Sequence, residues 1–233
     1  MLSQRRALQR EMPAGSQNGT ALLATRQGTA SLPGFAMTVQ TWDLVFLAGF
    51  VVYIGIRHVF IKRTAGHEKT VRRLDALEKT LLPAVTVGAL LLPLFYIASP
   101  WLAFADYRLP AFLPWCGTAF MVAGLWLFYR SHADLGVNWS VTLELRKGHE
   151  LVKEGVYRRI RHPMYAAIFL FSIAQGLMLS NWLAGWSGLA TFAVLYFVRT
   201  PREERMMCES FGQDYQEYMQ QTGRLFPRIK RRP

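Results

Sequence analysis

Charged residues are missing from a long stretch of this chain: between Pro163 and Val198 there is no Asp, Glu, Lys, Arg or His. A helix that crosses a bilayer needs about 20 predominantly apolar residues. The run is long enough for two such helices, and Ser180-Asn181 near its middle offers the polar turn between them. That length argues against the core of a soluble domain. Leu109–Tyr129 and Leu81–Ser99 are uncharged too, the second with Pro83 and Pro93 inside it. Neighbouring helices can satisfy the backbone groups that such prolines free. Trp42–Ile61 carries charge only near its ends, at Asp43, Arg57 and His58, where long basic side chains can reach the interface. The expected fold class is all-α: a polytopic membrane protein with about five transmembrane helices.

Cysteine is scarce. Two residues, Cys116 and Cys208, suggest neither a disulfide framework nor a metal cluster. The five histidines, at 58, 67, 132, 149 and 162, are scattered without paired-ligand spacing, so no metal is expected. Acidic residues are few as well, 15 against 27 basic ones, for a net charge of +12. No motif of a nucleic-acid-binding fold accompanies that charge, and its placement reads as topology. Basic residues favour cytoplasmic loops. They cluster after span one (Lys62, Arg63, Lys69, Arg72, Arg73, Lys79), before span four (Arg146, Lys147, Lys153, Arg158, Arg159, Arg161) and after span five (Arg202, Arg205, Arg224, Arg228, Lys230, Arg231, Arg232). The loop Pro100–Arg108 on the other side holds Arg108 alone. Five crossings with a cytoplasmic C-terminus satisfy this alternation.

Residues 1–40 are rich in Gln, Ala, Gly, Ser and Thr without apolar periodicity, and are expected to be a disordered or non-native extension. Met37, just ahead of the first span, is a candidate start of translation. The membrane domain is expected over 41–228, followed by a basic tail at 229–233. Residues 62–80 read as a charged helix with Leu74 and Leu77 on one side. Residues 131–162 read as a polar, cytoplasmic connector of loop and short helical pieces. Residues 201–220 read as an amphipathic helix, with Pro201 suited to its first turn, Phe211, Tyr215, Tyr218 and Met219 on one face, and Gly223 as its stop.

Chemistry-bearing residues concentrate in two places. The connector holds Asn138-Trp139-Ser140, His149-Glu150-Leu151-Val152, Gly155-Val156-Tyr157 and Arg161-His162-Pro163-Met164-Tyr165; the exit of span five holds Arg199-Thr200-Pro201-Arg202-Glu203-Glu204. If spans four and five form a hairpin, Arg161 and Arg199 fall close together. Each residue alone has an ordinary explanation: arginines anchor helix ends, glutamates complement a helix N-terminus, and tyrosines sit at the interface. Together they suit a site for two unlike molecules. Aromatic groups and a carboxylate can hold a polar ligand, an arginine fork can hold a carboxylate or phosphate, and the apolar spans can hold a lipid tail.

The order H-x-L-V-x-x-G-V-Y, R-H-P-x-Y, R-x-x-x-E-E and Phe211-Gly212-Gln213-Asp214-Tyr215 resembles the isoprenylcysteine carboxyl methyltransferase family, in a wider group that includes phospholipid N-methyltransferases. The resemblance covers roughly residues 40–228 and is strongest over 135–170 and 196–228. It implies an S-adenosyl-L-methionine site enclosed by the connector and the C-terminal helix, and a lipophilic acceptor. Carried over by motif, the cofactor contacts are His149, Glu150, Leu151, Val152, Tyr157, His162, Pro163, Met164, Tyr165 and Glu203. Arg199 is implied to face the substrate carboxylate, with Arg161 and Glu204 as further catalytic candidates. Thr142 stands where the family tends to carry Gln, and Ala166-Ala167 follow Tyr165 where glycine is common. These departures bear on the acceptor, for which a phospholipid amine and a small thiol remain alternatives. An NADPH-dependent membrane reductase and a non-enzymatic membrane protein are the readings from other classes. Oligomeric state is not legible.

Overall fold

The computed structural model describes residues 40–64, 76–136 and 151–228. His149 and Glu150 of the expected cofactor set lie outside the described residues, as do Asn138-Trp139-Ser140, Thr142, Leu74, the 229–233 tail and all of the N-terminal extension but Gln40. The elements are helical throughout: α1 (Thr41–Thr64), α2 (Ala76–Thr86), a π-helical turn (Val87–Leu91), α3 (Leu92–Ala98), α4 (Leu113–Leu135), α5 (Pro163–Met178), α6 (Trp182–Phe211) and α7 (Gln213–Gln221). Short stretches of 3-10 helix at Pro100–Ala105 and Gly155–Arg158 fill two of the connections.

By length and composition, Thr41–Arg63 and Lys79–Ala98 are apolar enough to cross a membrane. The sequence suggests five crossings, and the remaining helices differ from that simple picture for identifiable reasons. α5 is 16 residues long, about 24 Å at the usual rise per residue and short of a hydrocarbon core of about 30 Å. α4 and α6 run on past their apolar portions into charged turns at Arg130 and Arg199. Val51, Val52, Trp126, Val194 and Phe197 are exposed on these helices, the outward apolar surface expected of lipid-facing rods.

Small residues set the closest helix contact. α4 and α5 pack along Gly117 and Gly124, where an added Cβ would come within 2.7 Å of Met178 and 3.1 Å of the Ala167 carbonyl oxygen. In lipid the drive for such packing is close van der Waals contact. Around this seam Phe46, Met121, Phe171, Ala174 and Met178 form the core.

α5 and α6 form the expected hairpin. Asn181 caps α6, its Oδ1 accepting from the backbone amides of Leu183 (3.0 Å) and Ala184 (2.9 Å). Its Nδ2 donates to Leu102 O (2.6 Å) and Asp106 (3.0 Å), tying the hairpin to the opposite loop.

The break between α2 and α3 has a traceable cause. In the π turn the Leu92 amide bonds to the Val87 carbonyl, five residues back. In that register Gly88 O would accept from residue 93, which is proline and has no N–H. Gln175 Nε2 (3.1 Å) and Ser187 Oγ (2.7 Å) donate to Gly88 O instead. The kinked rod is thereby stitched to both arms of the hairpin.

Pro201 is not a first-turn residue. It lies inside α6, and the helix carries on to Phe211. The break comes at Gly212, whose φ of 53° suits a residue without Cβ, and the expected amphipathic helix is confined to α7. Tyr215 and Tyr218 are its buried residues.

Candidate functional site

The polar ends of α5 and α6 meet the C-terminal segment at one carboxylate. Glu204 is buried on α6, 7% exposed. Arg161, just ahead of α5, donates to its Oε1 from Nε (3.1 Å) and also lies 3.1 Å away through Nη2. His162 Nε2 lies 3.3 Å from the same oxygen. Arg224 donates from Nη2 to Oε2 (2.6 Å) and from Nε to both oxygens (3.2 Å each). Burial works against the charge on Glu204. Hydrogen bonds from His162 and Arg224, with the charges of His162 and Arg161, outweigh it and hold the carboxyl at about 2.

Backbone contacts reinforce the junction. The amides of Arg161 and His162 donate to the carbonyls of Gly223 (2.8 Å) and Arg224 (3.0 Å), and the Gly223 amide returns to Arg159 O (3.3 Å). Arg161 Nη1 donates to Met219 O (3.0 Å) and to Thr222 O. A side chain at Gly223 would overlap the Phe226 carbonyl, so only glycine fits this crossing.

Beside the carboxylate lies an aromatic wall. The rings of His162 and Tyr165 are stacked, 5.4 Å apart and 10° from parallel. Tyr165 meets Tyr196 and Phe192 edge-on at 5.7 and 6.0 Å. Its hydroxyl donates to Glu203 Oε2 at 2.5 Å, a short, charge-assisted bond. Pro163, buried at the first position of α5, lacks only an amide that would be unpaired there anyway.

The Gly155–Arg158 turn is pinned from two sides. Asp134 at the end of α4 accepts from the Val156 amide (2.9 Å) and pairs with Arg130 (2.8 Å). Gly155 has φ of 57° with Asp134 against it. Tyr157 donates to Ser131 O (3.3 Å), and its carbonyl accepts from the Tyr218 hydroxyl (2.6 Å). Burial, and then the Glu203 charge, push the Tyr157 phenol well above the ordinary tyrosine range.

Of the residues expected from sequence, the structure thus gathers Arg161, His162, Pro163, Tyr165, Glu203 and Glu204, and sets Tyr157 close by. Leu151, Val152 and Met164 are half-buried at the margin. Arg199 lies one helical turn before Glu203 on α6 and is half-buried. The sequence analysis missed Arg224 and Thr222, and Asp134 beneath the turn. Arg224 was read there as one of many topological charges. The available signal was Glu204 itself: a carboxylate at a membrane end that is to be buried needs paired cations.

Among the described residues no cluster of His, Cys, Asp and Glu could hold a metal ion. The groups present can hold a polar, partly aromatic ligand against a carboxylate, with a fixed cationic cluster behind it.

Comparison with known proteins adds independent findings. Residues 117–209 match the model of the isoprenylcysteine carboxyl methyltransferase (ICMT) family. A probable protein-S-isoprenylcysteine O-methyltransferase of Oryza sativa subsp. indica is 23% identical over 197 residues, 84% of this chain and 100% of that protein. The Homo sapiens protein-S-isoprenylcysteine O-methyltransferase is 36% identical over 98 residues, 42% of this chain and 34% of its own length. A solved structure of the eukaryotic intramembrane Ras methyltransferase ICMT aligns with a TM-score of 0.49 and 25% identity, covering 79% of this chain and 68% of that one.

Proposed function

We propose that this chain, whose residues 117–209 match the isoprenylcysteine carboxyl methyltransferase family, is a membrane methyltransferase that moves a methyl group from S-adenosyl-L-methionine to the carboxylate of an isoprenylcysteine-like acceptor. One observation carries the reading: the His162–Tyr165 stack and Glu203 stand beside a junction of three chain segments fixed by Glu204.

These residues fit the cofactor. Tyr165, His162 and Tyr196 offer aromatic faces for an adenine ring, and Glu203 offers a carboxylate for ribose hydroxyls or an amino group. Leu151, Val152, Tyr157, Pro163 and Met164 complete the donor side, with His149 and Glu150 from the connector. When bound, S-adenosyl-L-methionine supplies an electrophilic sulfonium methyl.

The chain's own residues then orient and shield. Arg199 holds the acceptor carboxylate through its guanidinium fork. That carboxylate has an intrinsic pKa of about 3.3–3.7 and is already ionised near neutrality, so no base has to act. Glu204 fits such a reaction, because a carboxyl held at about 2 takes up no proton at working pH. Its role and that of Arg161 are structural support of the donor side. Alignment and exclusion of water are what the fold contributes to rate.

The proposal includes five crossings: α1, the α2–α3 rod, α4, α5 and α6, with the site at the cytoplasmic face. The alternation of basic clusters supports it. Purified protein in detergent, given methyl-labelled S-adenosyl-L-methionine, farnesylated N-acetylcysteine and a lipid extract, tests the chemistry. Base-labile label in the farnesylcysteine is expected. Label confined to the lipid extract would replace this acceptor with a lipid one.

A further inference from the structure

Arg224 lies outside the 117–209 segment that carries the family match, in a stretch where many basic residues serve only topology. Its geometry sets it apart. It meets Glu204 with two nitrogens, and the Nη2 contact of 2.6 Å is the shortest at that carboxylate. The neighbouring backbone, Gly223 and Arg224, accepts from the amides of Arg161 and His162. Arg161 in turn reaches back to Met219 and Thr222. Thr222 Oγ1 donates to Tyr218 O at 2.6 Å, closing the end of α7.

We propose that Met219–Arg224 is a clasp that builds the donor side of the site, and that Arg224 is its positioning residue. The inference rests on the methyl-donor reading above. Arg224 binds Glu204 through both carboxylate oxygens and acts on the site through that residue. With Glu204 anchored between Arg161 and Arg224, α6 is held in one rotation, and Glu203, the next residue, is presented to the Tyr165 hydroxyl. His162 is fixed twice, through its ring at Glu204 and its amide at Arg224 O. His162, and Tyr165 through Glu203, are therefore held by a segment that follows the matched region. Removing Arg224 leaves Arg161 and His162 to balance Glu204, and frees the strap at its outer edge, where the Arg224 side chain is 53% exposed.

The experiment compares wild type with Arg224→Ala, Arg224→Lys and Arg205→Ala in detergent. Hydrogen exchange is read on peptides covering the amides of Arg161, His162 and Gly223, and affinity is measured with S-adenosylhomocysteine, alongside separate KM values for donor and acceptor. Arg224→Ala should speed exchange at those amides and weaken S-adenosylhomocysteine binding about tenfold, the scale of losing a charge-assisted hydrogen bond. The donor KM should rise with it and the acceptor KM should stay near wild type. Arg224→Lys keeps the charge, loses the fork, and should move both readouts the same way by less. Arg205 is exposed on α6; its alanine variant removes equal charge and should match wild type.

Unchanged exchange in Arg224→Ala would overturn the clasp, and the Lys variant supplies the same reading if the Ala variant fails to fold. Faster exchange with unchanged donor affinity would overturn the positioning role. Equal losses in Arg205→Ala would reduce the effect to bulk charge and overturn it as well. If wild type binds no S-adenosylhomocysteine, the methyl-donor reading falls, and the exchange result still decides whether Arg224 holds the clasp.

Discussion

At the scale of single residues the site is a division of labour between adjacent glutamates. Glu203 accepts from Tyr165, and Glu204 binds Arg161 and Arg224. Tyr165→Phe keeps the ring and removes a 2.5 Å hydrogen bond. Donor KM should rise about ten- to a hundredfold, with the acceptor KM nearly unchanged, given about 1.5–3 kcal/mol for a bond to a charged partner. Arg199→Ala should do the reverse: acceptor KM up or kcat down, with S-adenosylhomocysteine affinity intact. Lost cofactor affinity in that variant would contradict the assigned role. Glu204 also predicts a pH effect. Its folded pKa is depressed from 4.5 to about 2, so its stabilisation is present above about pH 4.5 and is lost as pH falls toward about 2. Thermal melts of wild type and Glu204→Gln should differ at neutral pH and converge in acid; a constant gap would contradict the charged clamp. The resemblance separated Glu203, as a cofactor contact, from Glu204, but the partners of Glu204 were not legible, because adjacent positions on a helix differ by about 100° and only packing fixes the phase.

At the scale of elements, what was legible followed from apolar runs and turn residues. The hairpin could be placed because Ser180-Asn181 offers a polar turn near the middle of the uncharged run from Pro163 to Val198. Pro201 misled: a proline suited to starting a helix sits in the interior of α6, which carries on to Phe211. The stop at Gly212 was hidden inside a motif read for its aromatics. The π turn was not legible at all, since Pro93 announces only a missing donor and the rescue comes from Gln175 and Ser187 far along the chain. Gln175→Leu should therefore destabilise the bundle by about 1 kcal/mol, the usual scale of an interhelical hydrogen bond in lipid, read as a lower unfolding midpoint in mixed detergent. Ser187→Ala should cost less, because Gln175 would still serve Gly88 O. Equal stability of wild type and the Leu variant would mean that Ser187 alone satisfies the Gly88 carbonyl.

At the scale of the whole molecule, charge placement and helix placement make one claim about orientation. The Glu204 junction, the Gly155–Arg158 turn and the exit of α6 lie at the end of the bundle that carries Arg158, Arg159, Arg202 and Arg205, while Asp106, Tyr107 and Asn181 bind each other's segments at the other end. The matched family implies a membrane enzyme, yet orientation depends on loop charge, which acts during insertion. Cysteine accessibility can test it. Cys116 and Cys208 are free thiols, so both are first replaced. Arg108→Cys in the Pro100–Arg108 loop should then react with an impermeant maleimide in intact cells, and Glu209→Cys on α6 should react only after the membrane is opened. Both sites are exposed, so unequal labelling reports sidedness and not burial. The reverse pattern would put the methyl-donor side outside, away from cytoplasmic S-adenosyl-L-methionine, and would overturn the orientation. Labelling of both sites from outside would require an even number of crossings between them, and would remove either α4 or one arm of the hairpin from the membrane.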